Sequence, residues 1–384
     1  GYIGLPTAAL IASRGMKVTG VDIRQGVVDI INKGQIHIVE PDLEELVHKV
    51  VKDKNLCAST KPVSSDVYLV AVPTPFKGDH EPDLSYVMSA TKSIIPTLKK
   101  DALVILESTS PVGTTKKMEQ FIYKERPELK GHIFLAYCPE RVLPGNILYE
   151  LKHNDRAIGG VDEISTKKAI NFYKHFVEGT LHATNAKTAE MVKLVENASR
   201  DNQIAFANEL SIICDKAEIN VWEMIALANK HPRVHILNPG TGVGGHCIAV
   251  DPWFIVSEFP EESLLIKKSR ETNNFKTEWV LEKIKNKALT FKAEQSKDPV
   301  IACMGLAFKP DIDDLRESPA LYVTETLEKI DYAILAVEPN LISGPNRVLV
   351  ETSEAIKQAD IIVFLVSHSE FKNLKLDNSK QVLD

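Results

Sequence analysis

From residue 1 to about 180, short apolar runs alternate with segments of helical periodicity, and few architectures accommodate that rhythm. Val18 to Val21, Val67 to Val72, Leu103 to Leu106 and Ile133 to Tyr137 are nearly continuous in hydrophobic residues, which suits strands buried on both faces. Such strands belong to βαβ units, so the expected fold is α/β with a mainly parallel sheet. From about 185 the pattern turns helical, beginning at Thr188-Ala189-Glu190-Met191 and continuing past Phe206, Leu210 and Trp222. After the polar stretch Lys292 to Asp298, strand-like runs return at Val300 to Met304, Ala333 to Val337 and Ile361 to Val366. The expected division is therefore two parallel-sheet domains, 1–184 and 291–384, joined by a helical domain over 185–290, and 384 residues let each bury its own core. The chain opens on Gly1-Tyr2-Ile3-Gly4 without a strand before it and closes on Gln381-Val382-Leu383-Asp384, the start of one. A first strand and a final βα segment are expected beyond the numbered residues.

The net charge of -6 argues against nucleic acid as a partner, since a phosphate backbone favours a basic surface. Cys57, Cys138, Cys214, Cys247 and Cys303 are widely spaced, with no CxxC pair and no Cys/His cluster at metal-ligand spacing. No metal is expected, and reduced thiols in a cytoplasmic protein fit best. No apolar run approaches the roughly 20 residues that cross a bilayer, and no signal peptide is visible, so no membrane partner is expected.

A dinucleotide site needs glycines where a strand turns into its helix, so that the backbone can approach a pyrophosphate and the helix N-terminus can face it. Gly1 and Gly4 have the spacing of the last two glycines of a Rossmann fingerprint, with Tyr2 and Ile3 between them. Asp22 ends the strand Val18 to Val21, where a carboxylate accepts hydrogen bonds from the adenosine ribose and favours NAD over NADP. A tight turn followed by a surface aspartate gives the same residues. Thr74, in Val72-Pro73-Thr74-Pro75, and Thr109, in Ser108-Thr109-Ser110-Pro111, follow later strands at the edge where ligands of open α/β sheets lie. Either threonine serves equally as a helix N-cap.

The segment Gly240-Thr241-Gly242-Val243-Gly244-Gly245-His246-Cys247 concentrates glycines ahead of a single thiol. Such backbone freedom costs conformational entropy, so something is expected to come very close to this backbone. One reading is a sugar or phosphate on the amides, with Cys247 at its reactive end; the other is a flexible loop ending in a buried cysteine. Lys193, Asn197 and Arg200 fall at i, i+4 and i+7 on one helical face, which alone is only an amphipathic helix with a solvated stripe. Cys138-Pro139-Glu140-Arg141-Val142 sets a carboxylate and a guanidinium at the carboxyl edge of the sheet.

In order along the chain, Gly1-Tyr2-Ile3-Gly4-Leu5-Pro6, Pro139-Glu140-Arg141, the Lys193/Asn197 helix, Gly244-Gly245-His246-Cys247 and Gly305-Leu306-Ala307-Phe308-Lys309-Pro310 resemble the UDP-glucose/GDP-mannose dehydrogenase family. The outer domains are then both Rossmann-like, with a helical dimerisation domain between them. Within the family, His37-Ile38-Val39-Glu40-Pro41-Asp42-Leu43, Pro75 to Leu84 and His231-Pro232-Arg233-Val234 look most like the bacterial members that act on UDP-N-acetyl-D-mannosamine. The resemblance implies four-electron oxidation of that UDP-sugar to its uronate with two NAD, by way of a thiohemiacetal and a thioester on Cys247. It implies Lys193 and Asn197 as stabilisers of the oxyanions, Asp251 as the group that orders a water near the lysine, and Glu140 as the carboxylate directing the hydrolytic water. Arg141, Val142, Lys193, Asn197, Arg200, His231, Arg233, Gly244 and Lys309 are implied in holding the UDP-sugar, and Arg316 in the NAD site. The family counterpart of Arg233 reaches into a neighbouring subunit, which implies a homodimer, and the family implies a place in polysaccharide biosynthesis. Glu140 is equally open to being a structural partner of Arg141, and the other four cysteines read as core residues.

Two rivals stand beside this reading. A two-electron dehydrogenase of the 6-phosphogluconate or hydroxyacid type shares the domain plan and the lysine/asparagine helix but needs no thiol. A nucleotide-sugar-binding regulator that has lost catalysis would not need Glu140, Lys193, Cys247 and Asp251 together. UDP-N-acetylglucosamine, UDP-N-acetylgalactosamine and UDP-glucose remain alternative substrates, because no residue reads the 2-acetamido group by a physical rule.

Overall fold

Nearly continuous apolar runs become strands because each can be covered on both faces by helices. In the computed structural model, which describes residues 3–38, 40–78, 80–142, 145–245, 247–341, 344, 347–377 and 380–384, the chain divides into two units, Gly1–Glu196 and Asn197–Asp384. The first opens with α1 (Gly4–Ser13), β1 (Val18–Val21), α2 (Gln25–Asn32), α3 (Leu43–Lys52) and β2 (Leu56–Ser59). β1 and β2 pair in parallel, and Leu5, Ala9, Val47, Val50 and Leu56 share one buried cluster with Val27 and Ile31.

After β3 (Val67–Val70), a small antiparallel ribbon of β4 (Phe76–Lys77) and β5 (Glu81–Pro82) leads to α4 (Ser85–Ile94). Then follow β6 (Leu103–Leu106), α5 (Thr114–Glu125), β7 (Phe134–Tyr137), α6 (Ile147–His153), β8 (Arg156–Gly160), α7 (Glu163–Tyr173) and β9 (Leu181–Asn185). The main sheet has the order β3-β6-β7-β8-β9. Its pairs are parallel except β7 with β8, where Ala136 faces Gly160 and Tyr137 faces Gly159. Extending that register sets Arg156, the first residue of β8, level with Glu140 beyond the carboxyl end of β7. The sequence reading missed β2, β8 and β9, which are short and carry polar or glycine residues.

Helix α8 (Ala186–Lys216) begins in the first unit and ends in the second, which continues with α9 (Val221–Ala228), α10 (Asp251–Glu258) and α11 (Leu264–Gln295). The start of the polar stretch read between Lys292 and Asp298 belongs to α11, because lysine, alanine, glutamate and glutamine are all good helix formers; Ser296 ends it with a positive φ of 54°. A second sheet follows: β10 (Val300–Met304), α12 (Pro319–Lys329), β11 (Ala333–Val337), α13 (Thr352–Gln358), β12 (Ile361–Phe364) and β13 (Gln381–Leu383), all parallel in the order β11-β10-β12-β13. The chain is thus α/β, with two parallel-sheet Rossmann-like regions and a helical region between them in sequence. No helix among the described residues is long and apolar enough to cross a membrane.

One buried side chain ties the beginning of α8 to the start of α5. Glu190 accepts hydrogen bonds from Gly113 N at 2.5 Å, Thr115 N at 2.8 Å and Thr115 Oγ1 at 2.7 Å. These amides open α5, where they have no intrahelical partner and the helix dipole favours a negative charge. Glu190→Ala takes the acceptor from three donors, Gly113 N, Thr115 N and Thr115 Oγ1, and a buried donor left unsatisfied costs roughly 1–3 kcal/mol. The urea midpoint should therefore fall at unchanged slope, and by less in Glu190→Gln, which keeps one acceptor. An unchanged midpoint in the alanine variant would show that this clamp does not hold α8.

Candidate active site

The carboxyl edge of the first unit's main sheet gathers five polar side chains. β6 delivers Glu107, β7 delivers Cys138 and Glu140, the antiparallel β8 delivers Arg156, and α7 covers them with Tyr173. Arg156, buried at 3% exposure, donates from Nη1 to Glu140 Oε2 at 3.3 Å and from Nη2 to the Leu151 carbonyl at 3.0 Å. Its guanidinium lies 5.2 Å from the Tyr173 ring centre, and Cys138 Sγ is 3.9 Å from Nη1. Glu140 also accepts from the backbone amide of Arg141 at 2.8 Å. The Arg141 guanidinium turns instead to Glu196 Oε1, at 2.6 Å, and to the Asp155 carbonyl. The side-chain partner of Glu140 is thus Arg156, which the sequence reading missed. Its only signal was a charge at the head of the otherwise apolar run Arg156-Ala157-Ile158. Val142 packs half-buried against the core.

Tyr173 donates its hydroxyl to Glu107 Oε1 at 2.7 Å, while Glu107 Oε2 is buried without a hydrogen-bond partner. Burial, reinforced by the negative charge of Glu140, pushes the Glu107 carboxyl up to about 7 against the opposing pull of Arg156 and Tyr173. Burial likewise pushes the Cys138 thiol up to about 11. Near neutrality that thiol is inert.

Of the dinucleotide residues, Gly1 and Tyr2 lie outside the described residues. Ile3 is the N-cap of α1, and a Cβ built on Gly4, the first residue of that helix, would meet nothing within 4 Å. An open glycine at a helix N-terminus suits a pyrophosphate, and Asp22, just past β1, suits a ribose. The Asp22 carboxylate already accepts from Arg24 N at 3.0 Å and from the Arg24 guanidinium at 3.2 and 3.3 Å. Partial burial opposes its charge, but the Arg24 hydrogen bonds prevail and hold it below the ordinary carboxylate range. A carboxylate has further lone pairs for a ribose hydroxyl. Thr74 and Thr109 follow β3 and β6; neither is an N-cap, since α4 is preceded by Leu84 and α5 by Gly113.

In the second unit the glycine loop is held along its length. Gly240 N donates to Asn208 Oδ1 at 2.9 Å, Thr241 Oγ1 to the Leu365 carbonyl at 2.6 Å and Gly245 N to the Arg316 carbonyl at 3.0 Å. Asn208 is buttressed by Asn273 at 2.9 Å, and Asn273 by Asp201 at 2.8 Å, itself paired with Arg270 at 2.5 Å. A Cβ on Gly244 would fall 2.5 Å from the Glu317 carbonyl and 2.7 Å from Phe308 Cβ. Gly245 has a positive φ of 77° and would press a Cβ against the Phe308 ring at 3.0 Å. What comes close to this backbone is therefore the protein's own Phe308 and Glu317. The loop is packed rather than flexible.

His246 lies outside the described residues. Cys247 is exposed, and its carbonyl accepts from Val250 N at 3.1 Å and Asp251 N at 2.8 Å, which turns the chain into α10. Asp251, buried at the head of that helix, accepts from Asn197 Nδ2 at 2.5 Å. Cys247, Asp251 and Asn197 are thus drawn into one neighbourhood. On α8, Lys193 and Asn197 are half-buried and Arg200 is exposed. His231 and Arg233 are exposed beyond α9, joined by Arg233 N to His231 Nδ1 at 3.3 Å. The Arg316 side chain folds onto Asp314 at 2.6 Å.

Half-buried Lys309 follows a turn held by two residues that the sequence reading missed. Leu306 N and Ala307 N donate to buried Glu338 at 2.7 and 2.8 Å, and buried His368 Nε2 lies 3.1 Å from the same oxygen. Burial works against this charge, but His368 and the amides of Leu306, Ala307 and Asn340 hold the carboxyl down to about 2.

The chain is similar to known proteins over nearly its whole length. The chain matches the NAD binding domain of the UDP-glucose/GDP-mannose dehydrogenase family over residues 1–177, its central domain over 187–275 and its UDP binding domain over 302–384. A Campylobacter jejuni UDP-N-acetyl-D-mannosamine dehydrogenase is 55% identical over 394 residues, covering 98% of this chain and 96% of that protein. A Ralstonia nicotianae NDP-N-acetyl-D-galactosaminuronic acid dehydrogenase is 50% identical over 399 residues, covering 100% and 93%. A solved structure of the UDP-N-acetyl-mannosamine dehydrogenase of S. aureus superposes with a TM-score of 0.88 at 43% identity, covering 98% of this chain and 89% of that one.

The neutral burial of Glu107 has a consequence for stability. In the unfolded chain the carboxyl ionises near 4.5, whereas in the folded state it keeps its proton to about 7. The stability this confers is complete below the unfolded value and is lost as the pH rises through the folded one. Glu107→Gln has no such loss, and its amide oxygen still accepts from Tyr173. It should therefore gain on the parent from pH 4.5 upward, reaching roughly 3 kcal/mol by pH 8. Urea titrations at pH 5 and pH 8 that gave the same difference between the two proteins would contradict a buried neutral Glu107.

Proposed function

Because this chain belongs to the UDP-glucose/GDP-mannose dehydrogenase family, we propose that it is an NAD-dependent 6-dehydrogenase of UDP-N-acetyl-D-mannosamine, working through a thioester on Cys247. The observation that carries this reading is an exposed thiol at the end of a packed loop, followed by buried Asp251 hydrogen-bonded to half-buried Asn197. A nucleophilic cysteine must be reachable as thiolate. Cys138, Cys214 and Cys303 are buried, and the other exposed thiol, Cys57, sits in β2.

Conversion of a primary alcohol to a carboxylate removes four electrons, and NAD, when bound, accepts two at a time as hydride. The aldehyde made by the first oxidation must be retained. Cys247 as thiolate adds to its carbonyl carbon; Lys193 and Asn197 supply a cation and a hydrogen bond to the resulting oxyanion. Loss of the second hydride leaves a thioester. Glu140 takes a proton from water, whose oxygen attacks the acyl carbon, and the departing Cys247 sulfur completes release of the uronate. Asp251 orders a water close to Lys193. Gly1, Tyr2, Ile3, Gly4, Asp22, Thr74, Thr109 and Arg316 are assigned to NAD. Arg141, Val142, Arg200, His231, Arg233, Gly244 and Lys309 are assigned to the UDP-sugar.

UDP-N-acetyl-D-mannosamine is favoured because relatives named for it share about half of all residues along the full chain. The chain is also proposed to act as a cytoplasmic homodimer, with Arg233 offered to the partner's site. Exposed Phe206, Ile213, Trp222 and Leu227 on α8 and α9 support a buried interface there.

Turnover of UDP-N-acetyl-D-mannosamine should release two NADH per sugar, and denaturation during turnover should trap an acyl adduct on Cys247 by mass spectrometry. UDP-N-acetylglucosamine, UDP-N-acetylgalactosamine and UDP-glucose should each have a lower kcat/KM. One NADH per sugar with a fully active Cys247→Ser variant would sink the covalent mechanism, and a faster rate on another sugar would replace the substrate.

A further inference from the structure

Glu107, Arg156 and Tyr173 lie in the first unit beside Glu140, and none has a role in the chemistry above. A single buried guanidinium faces two carboxylates there: Glu140 through a hydrogen bond of 3.3 Å, and Glu107 through the Tyr173 ring and hydroxyl that lie between. With Glu107 neutral, the buried set balances as one cation and one anion. With Glu107 ionised it carries an excess negative charge that little water screens.

We infer that Glu107 is a positioning residue for Glu140, its proton deciding how Arg156 divides its charge between the two carboxylates and thereby how readily Glu140 takes a proton from the hydrolytic water. The inference rests on the reading of Glu140 as the base for thioester hydrolysis. The groups facing Glu107 are Glu140 and Cys138 from the end of β7, Arg156 from β8 and Tyr173 from α7. Burial raises the Cys138 thiol to about 11 and the Tyr173 hydroxyl well above its ordinary range, so both stay neutral while Glu107, raised to about 7, titrates. As the pH rises through neutrality Glu107 loses its proton to solvent, Arg156 is shared, and Glu140 becomes the better base.

The test follows decay of the Cys247 acyl-enzyme in single turnovers, quenched and read by intact mass between pH 5.5 and 9. The parent protein should show one ionisation near 7 above which decay accelerates by about five- to ten-fold, the scale set by a partly screened buried charge acting on a proton transfer. Glu107→Gln should match the parent below pH 6 and lack the acceleration. Tyr173→Phe, which removes a hydrogen bond favouring the ionised form, should move the inflection to higher pH, a displacement that a packing role alone would not produce. Independently of turnover, the infrared carbonyl band of a protonated carboxylic acid should disappear between pH 6 and 8 in the parent, and that change should be missing in Glu107→Gln. If Glu140→Gln stalls decay while Glu107→Gln follows the parent at every pH, the inference is overturned and Glu140 stands as base. If Glu140→Gln decays like the parent, the reading of the base fails and takes the inference with it.

Discussion

A buried backbone amide must find an acceptor, and at three loops of this chain a buried glutamate supplies it. Glu40 accepts from Gly145 N and Ile147 N at 3.0 and 2.7 Å, fixing the entry to α6 after the Glu140 segment. Glu190 closes the first turn of α5 and so anchors the helix that carries Lys193. Glu338 holds the amides of Leu306 and Ala307 ahead of Lys309. In all three, backbone amides share the carboxylate charge, joined at Glu338 by His368, and this fixes the loop in one geometry.

The same logic separates structural from chemical carboxylates. Glu338 collects three backbone donors and a histidine, and its proton leaves readily. Glu107 receives one phenolic hydroxyl and keeps its proton to neutrality. Four hydrogen bonds outweigh burial at Glu338 and hold it as an anion, whereas the more deeply buried Glu107 has too few donors to offset the cost of burying its charge. Glu140 has one amide and one guanidinium for its two oxygens.

The plan of the fold was legible because period and run length report burial directly. β1, β6, β10 and β11 lie where the apolar runs placed them, and the Lys193/Asn197 spacing proved helical. What escaped was non-local. Periodicity carries no strand direction, so a chain of expected parallel strands gave no reason to set Arg156 beside Glu140. The glycines before Cys247 correctly signalled a close approach, but sequence cannot say who approaches. In the structure it is Phe308 and the Glu317 carbonyl, sixty or more residues away. Glu338 and His368 were invisible for the same reason: their partners are amides, which every residue has.

That the loop is filled by protein changes what its glycines are for. A loop kept open for a ligand would be free to move until substrate arrived, and ordering it would weaken binding. Here Gly244 and Gly245 lie against Phe308, while Gly245 N is tied to the Arg316 carbonyl, so the loop is set beforehand as far as Gly245. Phe308 immediately precedes Lys309, and Arg316 closes the segment that begins there. The glycines allow the loop before Cys247 and the Lys309 loop to share one packing surface within the second unit. A side chain at either glycine would disturb both loops together, and that shared dependence accounts for the unusual composition of the segment more directly than a bound phosphate does.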